Sequence, residues 1–130
     1  MIIGSISENV NIEKRISITP EIAKKYISLG IEVQLSESYG NHIGYKNTDY
    51  ESLGVKILND DKKIIQNSNI IVQMGLLEDD KLSILKNNQT YIGVLNAYEN
   101  KEKLIELSNK KINLFSLELL PRITRAQSMD

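Results

Sequence analysis

The apolar positions of this chain change period repeatedly, and each change marks an element. Residues 1–6, MIIGSI, open as a short β-branched run that reads as a buried strand. A polar stretch, SENVNIEKR, follows, and ISITP leads into a helix. Thr19 stands at its cap position, Pro20 suits its first turn and Glu21 complements its dipole. Ile22, Ala23, Tyr26 and Ile27 recur at helical spacing, and Gly30 can close the helix in a left-handed conformation. IEVQLS is the second strand. Gly40 and Gly44 make the next segment a loop, 47–53 reads as a short helix stopped by Gly54, 55–58 as a small strand and 60–66 as another short helix. NIIVQM is a strong core strand, because Ile70, Ile71 and Val72 in succession fit a sheet covered on both faces. Residues 79–86 form a helix, TYIGVL a strand, 100–110 a helix with Leu104, Ile105 and Leu107 facing inward, and INLFSL the last strand.

Strands alternating with helices predict an α/β fold: a doubly wound, mostly parallel sheet with flanking helices and right-handed crossovers, Rossmann-like or flavodoxin-like. Ligands of such sheets gather beyond the carboxyl ends of the strands. Residues 121–130, PRITRAQSMD, directly follow the last strand and are expected to leave the sheet on that face. No internal repeat, low-complexity tract or interdomain linker interrupts the pattern.

Composition narrows the function classes. At 130 residues the chain suits one domain that buries roughly two-thirds of its unfolded surface. Charged residues make up 25% and the net charge is −1, so there is no basic field for nucleic acid. The absence of cysteine removes disulfides, thiolate catalysis and cysteine metal sites, and His42 as the sole histidine argues against a zinc site. Residues 1–10 lack the pattern of a signal peptide, and no apolar run approaches the ~20 residues that span a bilayer. The expectation is a soluble, cytoplasmic protein.

Nucleotide phosphates need glycines in the first strand-to-helix turn, so that backbone can approach them. Here that turn is long, polar and charged, and no G-x-G occurs in the chain. Gly40 and Gly44 are not followed by the lysine of a P-loop. His42 reads as an exposed loop residue, and Asp60-Asp61 and Glu78-Asp79-Asp80 as acids at helix starts. Arg15, near Glu13, either forms a surface ion pair or reaches over the ligand face; spacing leaves both open. PRITRAQSMD is the densest polar segment. Arg122 and Arg125 offer planar donor forks, Gln127 donates and accepts at once, and Asp130 can orient Arg122. The same residues also fit a helix start, with Thr124 or Ser128 as cap, and composition does not separate the two readings.

PRITRAQSMD closely resembles the polar loop of the NAD(H)-binding component of proton-translocating NAD(P) transhydrogenase, the alpha subunit, through Arg122, Gln127 and Asp130. EKRISITP resembles that family's signature after the first strand, through Glu13, Arg15, Thr19 and Pro20. The glycine loop and following helix match through Gly40, Asp49, Tyr50 and Gly54. The resemblance spans residues 1–130 and departs from the usual pattern at Ile6, where a proline is expected, and at Gln73, where a basic residue is expected. Alanine dehydrogenases share the opening fold, but that resemblance calls for a lysine near Gly75 and a histidine near Leu95, and neither is present.

What the resemblance implies is specific. Residues 1–130 are the first domain of the subunit, truncated before a Rossmann domain that carries the dinucleotide fingerprint. Arg122, Ile123, Thr124, Gln127 and Asp130 line the nicotinamide of NAD(H), and Gln127 and Asp130 are the residues implied in catalysis through ring placement. NADP(H) is bound by a partner component. The further partners are a membrane proton channel and a second copy of the subunit, giving peripheral attachment to the inner membrane, without nucleic acid. The reaction is hydride transfer between NADH and NADP⁺, and the fragment alone is expected to be inactive. The other reading is a stand-alone α/β interaction domain that binds a partner subunit.

Overall fold

The computed structural model of the chain describes residues 1–119. In chain order the elements are β1 (Ile2–Ser5), α1 (Pro20–Ser28), β2 (Glu32–Ser36), α2 (Asn47–Glu51), β3 (Lys56–Leu58), α3 (Asp61–Asn67), β4 (Ile70–Val72), α4 (Asp79–Leu82), β5 (Thr90–Gly93), α5 (Lys101–Asn109) and β6 (Asn113–Ser116). These described strands form one six-stranded sheet in the order β3-β2-β1-β4-β5-β6, with every neighbouring pair parallel. The predicted α/β, doubly wound architecture is present. The winding reverses between β1 and β4, which makes the gap between their carboxyl ends the topological switch point.

Strand alternation sorts the apolar residues onto two faces. Ile3, Val33, Leu35 and Tyr39 pack with Ala23 of α1 and Tyr50 of α2 on one side. Ile71 and Tyr91 pack with Ile64, Ile65, Leu82 and Leu107 of the later helices on the other. A seven-residue helix such as α3 is too short to hold itself in water. Burial of Ile64 and Ile65, each worth about 1.5–3 kcal/mol, holds it in place. Thr19 caps α1 by accepting from the Ile22 amide at 3.3 Å, with Pro20 at the first position. Gly30 ends that segment at φ +85°.

Two expectations fail locally. The helix expected over 79–86 stops at Leu82, since the amides of Ile84 and Leu85 bond three residues back rather than four, to Lys81 and Leu82. Gln89 then accepts from the Lys86 amide and ends the run. Ile105 does not face inward: it is 51% exposed, because α5 meets the core through Leu107 and, partly, Leu104.

Gly4 lets α3 approach β1. A Cβ there would lie 1.9 Å from Ser68 Oγ and 2.9 Å from Ile64 Cγ2. Ser68 cannot swing freely, because its hydroxyl donates to the Ile64 carbonyl at 2.6 Å. Gly4→Ala should therefore cost about 1–3 kcal/mol by overpacking. Urea denaturation would measure it, and an unchanged midpoint would show that α3 has room to shift.

Candidate functional site at the switch point

The β1–β4 ladder is short. Only Ile3↔Ile70 and Gly4↔Ile71 pair through backbone. Beyond them Ser5 Oγ lies 2.5 Å from the Val72 carbonyl, and then Gln73 takes over with its side chain. Its Oε1 accepts from the Ile6 amide at 2.7 Å, and its Nε2 donates to the Ile6 carbonyl at 3.1 Å. The Gln73 backbone meanwhile continues the ladder to β5, donating to the Ile92 carbonyl at 2.9 Å. At 2% exposure this amide does what one more strand residue would have done.

Tyr39 ties the next stretch down. Its hydroxyl accepts from the amides of Ser17 at 3.2 Å and Ile18 at 3.3 Å, and lies 2.8 Å from Ser5 Oγ. With its acceptor sites so used, the phenol proton goes to Ser5, whose own proton goes to Val72 or Gln73. Burial pushes the Tyr39 pKa up, which keeps that donor protonated. The polar loop 7–18 is thus held at both ends, at Ile6 by Gln73 and at Ser17 and Ile18 by Tyr39.

Between these anchors Glu8 bends back over the end of β4. Its Oε2 accepts from the Met74 amide at 2.8 Å and its Oε1 from the Gly75 amide at 2.9 Å. Burial pushes its pKa up, against the two amides and Arg15, which favour the charge. Glu13 and Arg15 form a two-pronged pair, with Nε at 2.9 Å and Nη2 at 2.8 Å from the carboxylate oxygens. The guanidinium holds the exposed Glu13 carboxyl down to about 2. Together with Glu78, Lys81 and Asn96 these residues line a cavity of about 470 Å³ at the switch point.

Arg15 therefore satisfies both readings left open by spacing: it is a surface ion pair, and it stands on the wall of the cavity. His42 is exposed, and its Nε2 lies 2.7 Å from the Lys14 carbonyl, bracing the same loop from outside. Asp60 caps α3 at the Lys63 amide, while Asp79 and Asp80 sit in the first turn of α4. Leu95 is buried and Gly75 has its amide on Glu8, so neither position offers a side chain for acid–base work. Arg122, Ile123, Thr124, Gln127 and Asp130 lie outside the described residues. The last described segment, Leu117–Leu119, stands just past the carboxyl end of β6.

Sequence reasoning missed Glu8 and Tyr39 and read Gln73 only as a departure. Gln73 had a signal: a polar residue where an apolar core strand should continue. Glu8 had none, because its partners are 66 and 67 residues away and only the strand order joins them.

Comparison with known proteins decides the family. The family model for the alanine dehydrogenase/PNT, N-terminal domain matches residues 4–130. The chain belongs to this family. Within it, an NAD(P) transhydrogenase subunit alpha from Rickettsia prowazekii, the first chain of a divided subunit, is 34% identical over 134 residues, covering 100% of the chain and 35% of that protein. The protein of the same name from Rhodospirillum rubrum is 28% identical over 123 residues, covering 91% of the chain and 32% of its own length. The chain thus spans about a third of the curated relatives it matches. Among solved structures, the transhydrogenase from Sinorhizobium meliloti superposes with a TM-score of 0.89 at 26% identity, covering 100% of this chain and 39% of that one. An L-alanine dehydrogenase superposes at 0.82 with 18% identity, covering 89% and 32%, and shares the fold. No helix among the described residues is long and apolar enough to cross a membrane.

Gln73→Leu keeps the bulk and removes both hydrogen bonds, stranding the amide and carbonyl of Ile6. It should destabilise the domain by about 2–4 kcal/mol, from the ~1–3 kcal/mol of each buried group left unpaired. A fall in melting temperature checks this; an unshifted melting curve would mean that water replaces the side chain.

Proposed function

We propose that this chain is the first domain of the NAD(H)-binding component of a proton-translocating NAD(P) transhydrogenase, the enzyme that moves hydride between NADH and NADP⁺. The observation that carries the reading is the family match reaching residue 130, which takes in the whole of PRITRAQSMD, together with relatives named as transhydrogenase alpha subunits. In this reading Arg122, Ile123, Thr124, Gln127 and Asp130 stand beside the nicotinamide of NAD(H), and the pyrophosphate is held by a dinucleotide domain in the remaining two-thirds of the subunit. NADP(H) belongs to a partner component, and the proton path to a membrane subunit through which this one is attached to the inner membrane. The complete subunit is a homodimer.

The division of labour follows from physical chemistry. Residues 2–5 run into a turn with no closely spaced glycines, so it offers phosphate no close backbone approach. The cofactor supplies the hydride chemistry when bound, and this domain's residues contribute orientation and exclusion of water. Gln127 would set ring angle and distance, with Asp130 fixing the direction of Arg122.

The test uses the full-length subunit with its partners. Gln127→Ala should slow transhydrogenation on the order of 10²-fold, the scale of an ~1 Å misplacement, while NADH affinity changes little. Melting temperature should barely move. An untouched rate, or a collapsed melting transition, would make the loop structural.

A separate prediction concerns alanine. The full-length protein should form no NADH from L-alanine, since Gly75 and Leu95 supply neither a cation nor a proton donor for a 2-oxo acid. Alanine-dependent absorbance at the NADH band would reverse that assignment.

A further inference from the structure

We propose that Glu8 is a self-supplied anion: its carboxylate fills an anion site formed by the Met74 and Gly75 amides at the switch point, and keeps small carboxylates and phosphates out of the cavity until it is displaced. Both oxygens are engaged, one on each amide, at 2.8 and 2.9 Å. Two successive N–H groups converging on one carboxylate make an anion-binding concavity.

The neighbouring strand repeats the arrangement. Glu118, just past β6, accepts from the amides of Leu95 at 3.1 Å and Ala97 at 2.9 Å, beyond the end of β5. Two adjacent strand ends thus each present paired amides, and each pair is taken by a glutamate of the same chain. The two differ in setting. Glu118 is exposed, and its hydrogen bonds, that from Ser116 first, hold it down to about 2. Burial pushes Glu8 the other way, so Glu8 is the more easily displaced of the two.

Charge in the cavity points the same way. Its ionisable lining consists of Glu8, Glu13 and Glu78 against Arg15 and Lys81, one negative charge in excess. Removing Glu8 from its seat leaves the remaining charges balanced and frees two amides. The cavity then changes from one that repels an anion to one that receives it. Displacement is also bounded: Gln73 holds Ile6 and Tyr39 holds Ser17 and Ile18, so the loop between them swings as a strap fixed at both ends.

The test needs no turnover, and so stands or falls separately from the cofactor reading. Wild type, Glu8→Ala and Glu8→Gln are melted in sodium acetate, in inorganic phosphate and in sodium chloride of equal ionic strength. Acetate represents carboxylate sources and phosphate the phosphorylated ones. Glu8→Ala should be stabilised saturably by acetate, phosphate or both beyond chloride, with affinity at least tenfold above wild type. Wild type and Glu8→Gln, whose side chains still fill the seat, should follow chloride. If Glu8→Ala follows chloride too, or if wild type binds either anion equally well, the proposal is wrong. Should Glu8→Ala not fold in chloride, its refolding yield decides: recovery in acetate or phosphate supports the site, and no recovery overturns it.

Discussion

The hydrogen bonds between the Gln73 side chain and the Ile6 peptide are what the rest of this site depends on. A doubly wound sheet must part at its switch point, and the last peptide before the gap loses its ladder partner there. Ile6 is that peptide, and at 3% exposure it has no water to turn to. Left unpaired, its amide and carbonyl would cost about 1–3 kcal/mol each. Gln73 reaches across instead, and the strands stay together one residue longer than their backbones alone allow. The consequence is positional: the loop after β1 leaves from a fixed point and direction, which is how Glu8 reaches the end of β4.

The carboxyl edge of the sheet answers why a fold that so often holds nucleotide phosphates shows no cradle for them here. A phosphate site needs free amides and a close backbone approach. At the ends of β4 and β5 the paired amides are occupied by Glu8 and Glu118, and the first turn carries the Glu13–Arg15 pair in place of glycines. The edge is therefore rich in donors yet saturated by its own acids. What it has left to offer is the cavity wall and whatever stands beside it, which suits a domain that faces a ligand rather than grips it.

The elements that read clearly in the sequence are those whose signal is local. Alternation and caps reveal β1, α1 with Thr19 and Pro20, and the Ile70–Val72 strand, because propensity, periodicity and burial agree there. Ile105 misled because helical spacing specifies an apolar stripe without saying how wide a stripe the sheet can cover. The α5–β6 pair sits at the sheet edge, where one buried row suffices. The candidate site was legible only in part for the same reason. Glu13 and Arg15 are two residues apart and could be paired on sight, whereas Glu8, Tyr39 and Gln73 meet through strand order and register.

The two departures from the family's usual pattern, at Ile6 and Gln73, turn out to be one. A proline at position 6 has no N–H, so Gln73 beside it would keep a buried Oε1 with only Ser5 Oγ, at 3.0 Å, in reach. A basic side chain at position 73 has donors but no acceptor, so beside it the buried Ile6 amide would go unpaired. Either change alone strands a polar group in a place without water. Made together, they replace a pairing that needs no amide at position 6 with one that uses it. The local geometry is thus rebuilt by different atoms, and the Glu8 loop still starts from a fixed peptide.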